Sequence, residues 1–414
     1  MTRGRPLNDT LLLYAPVPLH QDAEGGLFVE SQALNGLQLW ARNFSRVVVM
    51  MPLDPGPVPP GWVPALPDDP RLDRVVFEPL PMAYRPDQFL RHLPATQRRI
   101  RKLISEADWL SFAIGGLFGD WGAVAALTAH RMGRPFAAWT DRVESQVVRQ
   151  EIGTGHWRTT LRARLTHRPM AMLERAVVRR ASLGLFHGRE TFETYAPHAR
   201  GPAEIVHDIH ISAGDHIDPD RLAAKTAGVL TGPLRLVYAG RADPMKGPFD
   251  WIEVLEQLDR RGVDFRARWL GDGTDRPAMI ARLEASGLTS RVEMPGFLVD
   301  REAVLEELRD AHLFLFCHLT PESPRCLIEA LASGCPLAGY ASAYSSDLIA
   351  THGGGALVPR GDTAALAEVI AGLEADRPRL AQLIARAAAD GAPFTDTEVF
   401  RQRSQVIRDH LGAA

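Results

Sequence analysis

Along this chain the apolar residues fall into short continuous runs, each followed by a longer stretch in which they recur every third or fourth position. A short run bounded by turn residues reads as a strand buried on both faces, and the longer period reads as a helix laid over it. In the first half the runs are TLLLYAPVP, RVVVMMP, DRVVFEPLP, WLSFAIG, PFAAWTD, RASLGLFHG and AEIVHDI. DWGAVAALTAHRMG fills the helical place between two of them, and GGLFVESQALNGLQLWARNF reads as a loop running into a helix. The pattern then restarts with strands LRLVYAGR, FRARWLGDG, RVEMPGF and HLFLFCHL, separated by helices FDWIEVLEQLDRRG, RPAMIARLEASGL and DREAVLEELRDA. CPLAGYA and GGALVPRGD follow. Such alternation predicts an α/β protein of two doubly wound parallel-sheet domains. The expected boundaries are 1–211 for the first domain, 212–232 for a linker, 233–392 for the second domain and 393–414 for a last helix, which can pack back on the first. Ligands of such sheets bind outside the carboxyl ends of the strands, so the cleft between two such domains is the expected site.

A chain of 414 residues exceeds one typical domain. With 45% hydrophobic and 23% charged residues it has an ordinary soluble composition, and no run reaches the ~18 apolar residues of a membrane span. The basic start MTRGRPLNDTLLLYAPVPL has a short apolar run and no small-residue cleavage site, so it reads as a first strand and not a signal peptide. Cys317, Cys326 and Cys335 lie in apolar contexts without a CxxC, against a disulfide framework or zinc site and in keeping with the cytoplasm. Residues 1–205 carry 25 Arg and Lys against 20 Asp and Glu, and the remainder 22 against 30. The basic half suggests an anionic partner. Lysine occurs only at 102, 225 and 246, which makes one in a glycine-bounded turn more informative.

Four stretches of the second half carry the chemistry, each just after a strand. In TPESPRCLIEALASGCP, Ser323 suits an N-cap, Pro324 the first helical position and Gly334 the residue past the end. A helix over about 324–333 then aims the amides of Arg325, Cys326 and Leu327 at an anion, with the Arg325 guanidinium beside them; the plain alternative is a capped helix. In YAGRADPMKGP, Gly240 precedes two cations, Arg241 and Lys246, that can neutralise a diphosphate; the alternative is solvated charge. In WLGDGTD, Gly271 and Gly273 allow backbone to approach a ligand, or simply make a turn. EMPGFLVD ends a strand where a flat base can rest.

Together and in this order, Gly240-Arg241 to Lys246-Gly247, Gly271-Asp272-Gly273, Gly296-Phe297 and Glu322 to Pro336 resemble the family-4 retaining glycosyltransferases, also called glycosyl transferases group 1. The resemblance covers nearly the whole second half. It implies the GT-B fold, two Rossmann-like domains facing across a cleft that closes on a nucleoside-diphosphate sugar. It also implies transfer with retention to a carbohydrate or lipid-linked acceptor, without an obligatory metal or other cofactor. By resemblance, Arg241 and Lys246 bind the diphosphate and stabilise the leaving group, as charge aimed at the developing negative charge. The amides of Arg325 to Leu327 assist, Glu329 holds the ribose hydroxyls, Phe297 and Leu298 border the base, and Glu322 meets the sugar. One departure stands out. The family has seven residues between its two glutamates and this chain has six, so alignment on Glu329 puts Pro321 where the first glutamate belongs.

The first half matches more loosely. Gly25-Gly26 fits the family's glycine loop near the donor, the alternative being a flexible loop. The family's histidine near the reacting carbon is missing from TDRVES, which offers Asp141 and Glu144 instead; with Gly115, Gly116 and Asp120 these are the acceptor-side candidates. His207, Asp208, His210 and His216 invite a metal reading, but histidines three apart on a strand face opposite sides. The stretches 91–104 and 157–180 read as basic amphipathic helices, either solvated or in peripheral contact with anionic lipid at the inner face of the membrane, where many relatives meet lipid-linked acceptors. Nucleic acid is not expected, because the basic runs lack interleaved aromatics. Two other functions fit the same resemblance: a sugar-nucleotide epimerase, and an inactive sugar-nucleotide-binding partner.

Overall fold

A computed structural model describes residues 8–59, 61–65, 70, 72–150, 152–153, 157–320 and 322–412. It divides into two compact units. Unit 1 takes residues up to His210 together with those from Asp396 onward, and unit 2 takes Ile211–Thr395.

Unit 1 is built on strands β1 Thr10–Tyr14, β2 Leu19–Gln21, β3 Leu27–Glu30, β4 Arg46–Asp54, β5 Trp62–Pro64, β6 Val75–Pro81, β7 Trp109–Ala113, β8 Ala137–Thr140, β9 Leu183–His187 and β10 Ala203–Val206. Its helices are α1 Ser31–Asn43, α2 Pro86–Glu106, α3 Trp121–Arg131, α4 Glu144–Gln150, α5 Trp157–Val178 and α6 Gly188–Tyr195. The main sheet runs β10-β9-β8-β7-β1-β4 in parallel, with β6 also parallel on β4. Successive side chains of a strand point to opposite faces, so the apolar run of β1 serves two cores. Leu12 and Tyr14 join Phe112, Trp121 and Phe136 on one face. Leu11 and Leu13 join Trp40, Val49, Phe400 and Ile407 on the other.

Unit 2 opens with α7 Pro219–Gly228 and continues β11 Leu234–Ala239, α8 Pro248–Arg260, β12 Phe265–Leu270, α9 Arg276–Ala285, β13 Val292–Gly296, α10 Arg301–Asp310 and β14 Leu313–Phe316. Then come α11 Arg325–Ala332, β15 Leu337–Tyr340, α12 Ala343–Leu348, β16 Gly355–Val358, α13 Thr363–Ala375 and α14 Arg377–Gly391. The sheet order is β13-β12-β11-β14-β15-β16, all parallel. The last helix, α15 Asp396–Leu411, lies with unit 1, where the Phe400 ring meets Trp40 at 5.1 Å and Arg403 stacks over Trp40 and Trp139.

Two local readings change. Residues 212–232 are not a free linker, because α7 is fastened within unit 2. The buried Lys225 donates to the carbonyls of Leu308 and Ser333, both at 3.2 Å, and Arg221 forks onto Glu306 at 2.7 Å and Asp310 at 2.9 Å. The loop expected around Gly25-Gly26 is the turn of an antiparallel hairpin, β2 with β3. Those strands are too short to leave an alternating signature, so only the turn residues could have announced them.

Candidate active site

In each sheet the winding reverses once: between β11 and β14 in unit 2, and between β1 and β7 in unit 1. The carboxyl ends of strands on either side of such a reversal splay their loops apart and leave a crevice. Two candidates of the second half, Lys246 and Glu322, meet there. Lys246 follows β11 and Glu322 follows β14, and the two loops are joined by the Leu319 amide donating to the Met245 carbonyl at 2.9 Å. Gly247 sits at φ +64°, and a Cβ there would stand 2.0 Å from the Cys317 carbonyl oxygen, so only glycine lets the loops close this far.

This closure brings Lys246 Nζ to 2.7 Å from Glu322 Oε2, with both side chains largely buried. Glu322 Oε1 is buried and has no hydrogen-bond partner. A buried carboxylate oxygen left open costs free energy, and a hydroxyl-bearing ligand would satisfy it. Next to it lies His318, a residue the sequence reasoning missed, with Nδ1 3.8 Å from that oxygen and Nε2 2.9 Å from the Tyr238 hydroxyl. Burial first, then the Lys246 charge, drive the His318 pKa well below the ordinary range, so the ring is neutral. A histidine at the end of the buried run LFLFC was the available signal. Arg241 stands apart from this pair, mostly exposed, with its guanidinium 3.3 Å from Asp243.

The helix after β14 starts one residue later than expected. Pro324 is the capping residue and Ser323 precedes it, so neither occupies the place the sequence suggested. The backbone of Pro324 is extended, and the Leu327 amide donates to its carbonyl at 3.2 Å. Of the three amides expected to face an anion, that of Leu327 is therefore spent inside the turn. Arg325 is exposed and Cys326 half-buried. Pro321 lies outside the described residues. Glu329 is held by a second missed residue, Arg301, at 3.3 Å; Arg301 also reaches Asp215 at 3.1 Å. Burial raises the Glu329 pKa, against the charges of Arg301 and Arg325.

Gly271 and Gly273 have another use than the one expected. A Cβ on Gly271 would lie 2.0 Å from the Gly240 carbonyl oxygen, and one on Gly273 2.5 Å from that of Ala242. These glycines let the loops after β11 and β12 pack backbone to backbone, with the Ala242 amide donating to the Asp272 carbonyl at 2.9 Å. At the sheet edge, Phe297 and Val299 are exposed beside a half-buried Leu298, an open apolar ledge after β13.

Unit 1 holds its own cavity at its reversal point, about 590 Å³, walled by Tyr14, Tyr84, Gly116, Trp139, Asp141 and Glu144 among others. Asp120 reaches it but is spent structurally. Its carboxylate caps α3 at the Ala123 amide (2.8 Å) and accepts from the amides of Gly115 (3.1 Å) and Gly116 (3.0 Å). Asp141 is exposed, and Glu144 is paired with Arg142 while burial raises its pKa. Gly25 and Gly26 are not free loop amides, for both donate to Asp22, to its carbonyl at 3.2 Å and its carboxylate at 2.7 Å. The histidines are dispersed: β10 ends at Val206, His207 packs on His187, His210 meets Asn35, and His216 meets the Phe394 carbonyl. Among the described residues no three His, Cys, Asp or Glu side chains converge to hold a metal ion.

Comparison with known proteins bears on both units. Residues 223–390 match the family model described as Glycosyl transferases group 1. A 2-deoxystreptamine N-acetyl-D-glucosaminyltransferase of Streptomyces fradiae is 30% identical over 61% of this chain and 62% of its own length. The amylovoran biosynthesis glycosyltransferase AmsK of Erwinia amylovora is 28% identical over 46% of this chain and 48% of its own. The chain thus spans less than two thirds of either relative. Among solved structures, HepE of Anabaena in complex with UDP superposes with a TM-score of 0.63 over 97% of this chain and all of that one, at 17% identity. The chain therefore carries a glycosyl transferases group 1 domain in its second unit and has the GT-B fold, two units each built on a parallel sheet.

Proposed function

We propose that this chain is a glycosyltransferase that moves a sugar from a nucleoside-diphosphate donor to a carbohydrate or lipid-linked acceptor with retention of configuration, in glycoconjugate biosynthesis. The reading places it in the cytoplasm. The observation that carries it is the Lys246–Glu322 pair, a cation and a half-satisfied carboxylate held together at the reversal point of the unit 2 sheet. On this reading the diphosphate draws Lys246 away from Glu322, with Arg241 and the amides of Arg325 and Cys326 adding positive potential. Glu322, released and with one oxygen open, accepts from the sugar hydroxyls. The ribose falls to Glu329 and the base to the Phe297 ledge. The leaving group's charge is met by side chains and amides, so no metal or other cofactor is required. That the solved neighbour, HepE, is a complex with UDP supports a nucleotide donor, and the relatives' being glycosyltransferases supports transfer. The cavity of unit 1, with Trp139, Asp141 and Glu144, is assigned to the acceptor.

The test is release of nucleoside diphosphate from a panel of UDP-, GDP- and ADP-sugars, with and without acceptors and with excess EDTA. Acceptor-dependent release that resists EDTA and collapses in Lys246→Ala is the expected result. Turnover that survives Lys246→Ala removes the diphosphate assignment. Interconversion of the donor sugar without an acceptor would make the chain an epimerase, and tight donor binding without any turnover a binding partner.

A further inference from the structure

Behind the Lys246–Glu322 pair lies a second line of polar groups that the function proposed above does not use. Tyr238 stands near the end of β11 and His318 follows β14, the strands on either side of the sheet reversal. Both side chains are buried. The Tyr238 ring packs on Trp269 at 4.1 Å and Phe314 at 5.5 Å, and the His318 ring packs on Phe316 at 5.3 Å. Gly240 leaves the tyrosine hydroxyl its space, since a Cβ there would stand 2.7 Å from Tyr238 Oη. The hydroxyl is thus held 2.9 Å from His318 Nε2, which is its one hydrogen-bond partner among the described residues.

This geometry decides which ring nitrogen carries the proton. The ring is neutral, so one nitrogen donates and the other accepts. With the proton on Nε2, the tyrosine O–H would be buried without an acceptor, and the bare Nδ1 lone pair would face the Glu322 carboxylate. Both arrangements cost free energy. With the proton on Nδ1, Tyr238 donates to Nε2, and an N–H faces Glu322 Oε1, the buried oxygen without a partner, across 3.8 Å. That gap is about 1 Å longer than a hydrogen bond, and the last torsion of a glutamate is broad enough to close it. Lys246, 2.7 Å from the other oxygen, holds the carboxylate back.

We propose that His318 is a positioning residue for Glu322: its Nδ1–H, fixed by Tyr238, takes one carboxylate oxygen when Lys246 turns to the diphosphate and leaves the other free for the sugar. This rests on the function proposed above and supplies what that reading lacks, a partner for Glu322 once its cation has gone. A buried carboxylate stripped of its counter-charge is costly unless another donor meets it. No proton is transferred, and Nδ1 keeps its hydrogen throughout.

Two measurements on the full chain test this. The first needs no sugar nucleotide. With 15N-labelled histidine, the signals of His318 are picked out from those of the 14 histidines by their loss in His318→Gln. The ring should be the Nδ1–H tautomer, and that proton should move downfield in Lys246→Ala but not in Lys246→Ala/Glu322→Ala. An Nε2–H ring, or no downfield movement in Lys246→Ala, overturns the proposal. The second measurement is kinetic. In His318→Gln the side-chain amide reaches the place of Nε2, keeps Tyr238 satisfied and offers Glu322 no donor, whereas in His318→Asn it stands in the place of Nδ1. His318→Gln should lower kcat about tenfold to a hundredfold while the Kd of the released nucleoside diphosphate stays within about twofold, and His318→Asn should recover most of that loss. Equal rates in two variants that keep the wild-type unfolding midpoint, or a loss that falls on nucleoside-diphosphate binding, overturn the proposal. A wild type that turns over no donor removes the transferase reading, and the first measurement then decides by itself whether His318 takes Glu322.

Discussion

The two units reverse their sheets in the same way and put different things at the reversal. In unit 2 the crevice is made by backbone: three loops packed through Gly240, Gly247, Gly271 and Gly273, with one ion pair across them. In unit 1 it is made by side chains, two tyrosines, a tryptophan and two acids drawn from well-separated stretches, with Asp120 tying the loop between them to α3. A backbone-built crevice presents fixed amides and fixed charges. A wall of side chains can be exchanged without disturbing the sheet. Topology thus sets where a site lies, and what lines it sets how freely its specificity can vary.

The sharpest way to break this contrast is to remove charge from each crevice. Lys246→Ala is expected to lower the rate of transfer about a hundredfold or more with the fold intact, whereas Asp141→Asn in unit 1 should act mainly on the KM for acceptor. Equal effects on the rate constant would erase the distinction. Next in size is the glycine comparison. Gly271→Ala drives a Cβ against the Gly240 carbonyl and should cost about 2–3 kcal/mol in urea unfolding. Gly26→Ala meets only the movable Asp22 carboxylate and should cost under about 1 kcal/mol. Asp120→Ala leaves the α3 amino end and the 115–116 amides without their acceptor and should cost about 2 kcal/mol, read as local loss of amide protection in unit 1. The smallest effect is on pH dependence. His207 in unit 1 and His312 in unit 2 are both pushed down to about 3, chiefly by burial. Below about 6.5 the unfolded chain takes up protons that the folded units refuse. Stability should therefore fall as the pH is lowered from about 6.5 towards 3, by at most about 1.4 kcal/mol per pH unit per histidine. His312→Asn keeps an acceptor for the Arg235 amide, now 3.2 Å from Nδ1, and should flatten the unit 2 part of that slope.

Much of the fold was legible because burial of a parallel strand on both faces leaves a mark that needs no context. The strands of unit 2 lie where their apolar runs are, and so do the longer ones of unit 1. The β2–β3 hairpin was not legible, its strands being three and four residues long, and α7 was hidden in what looked like a linker because its anchor, Lys225, reads as a surface residue until its carbonyl partners are in place. In the site, Lys246 and Glu322 were marked by their position after strands. His318 and Arg301 were not, since a histidine closing a buried run and an arginine opening a helix have many ordinary explanations. The cap at Ser323 failed for a local reason: Ser-Pro fits a cap and first turn, but the chain stays extended through Pro324.

By itself the sequence determined the alternation of strand and helix, the restart that makes two units, and the residues standing after each strand of the second. Those follow from hydrophobic period and turn chemistry, which act over a few residues. Only the tertiary structure decided that Lys246 and Glu322, 76 positions apart, share a proton-bearing contact, and that the glycines of WLGDG serve a neighbouring loop. These depend on which loops the strand order makes neighbours, a quantity that no local pattern carries.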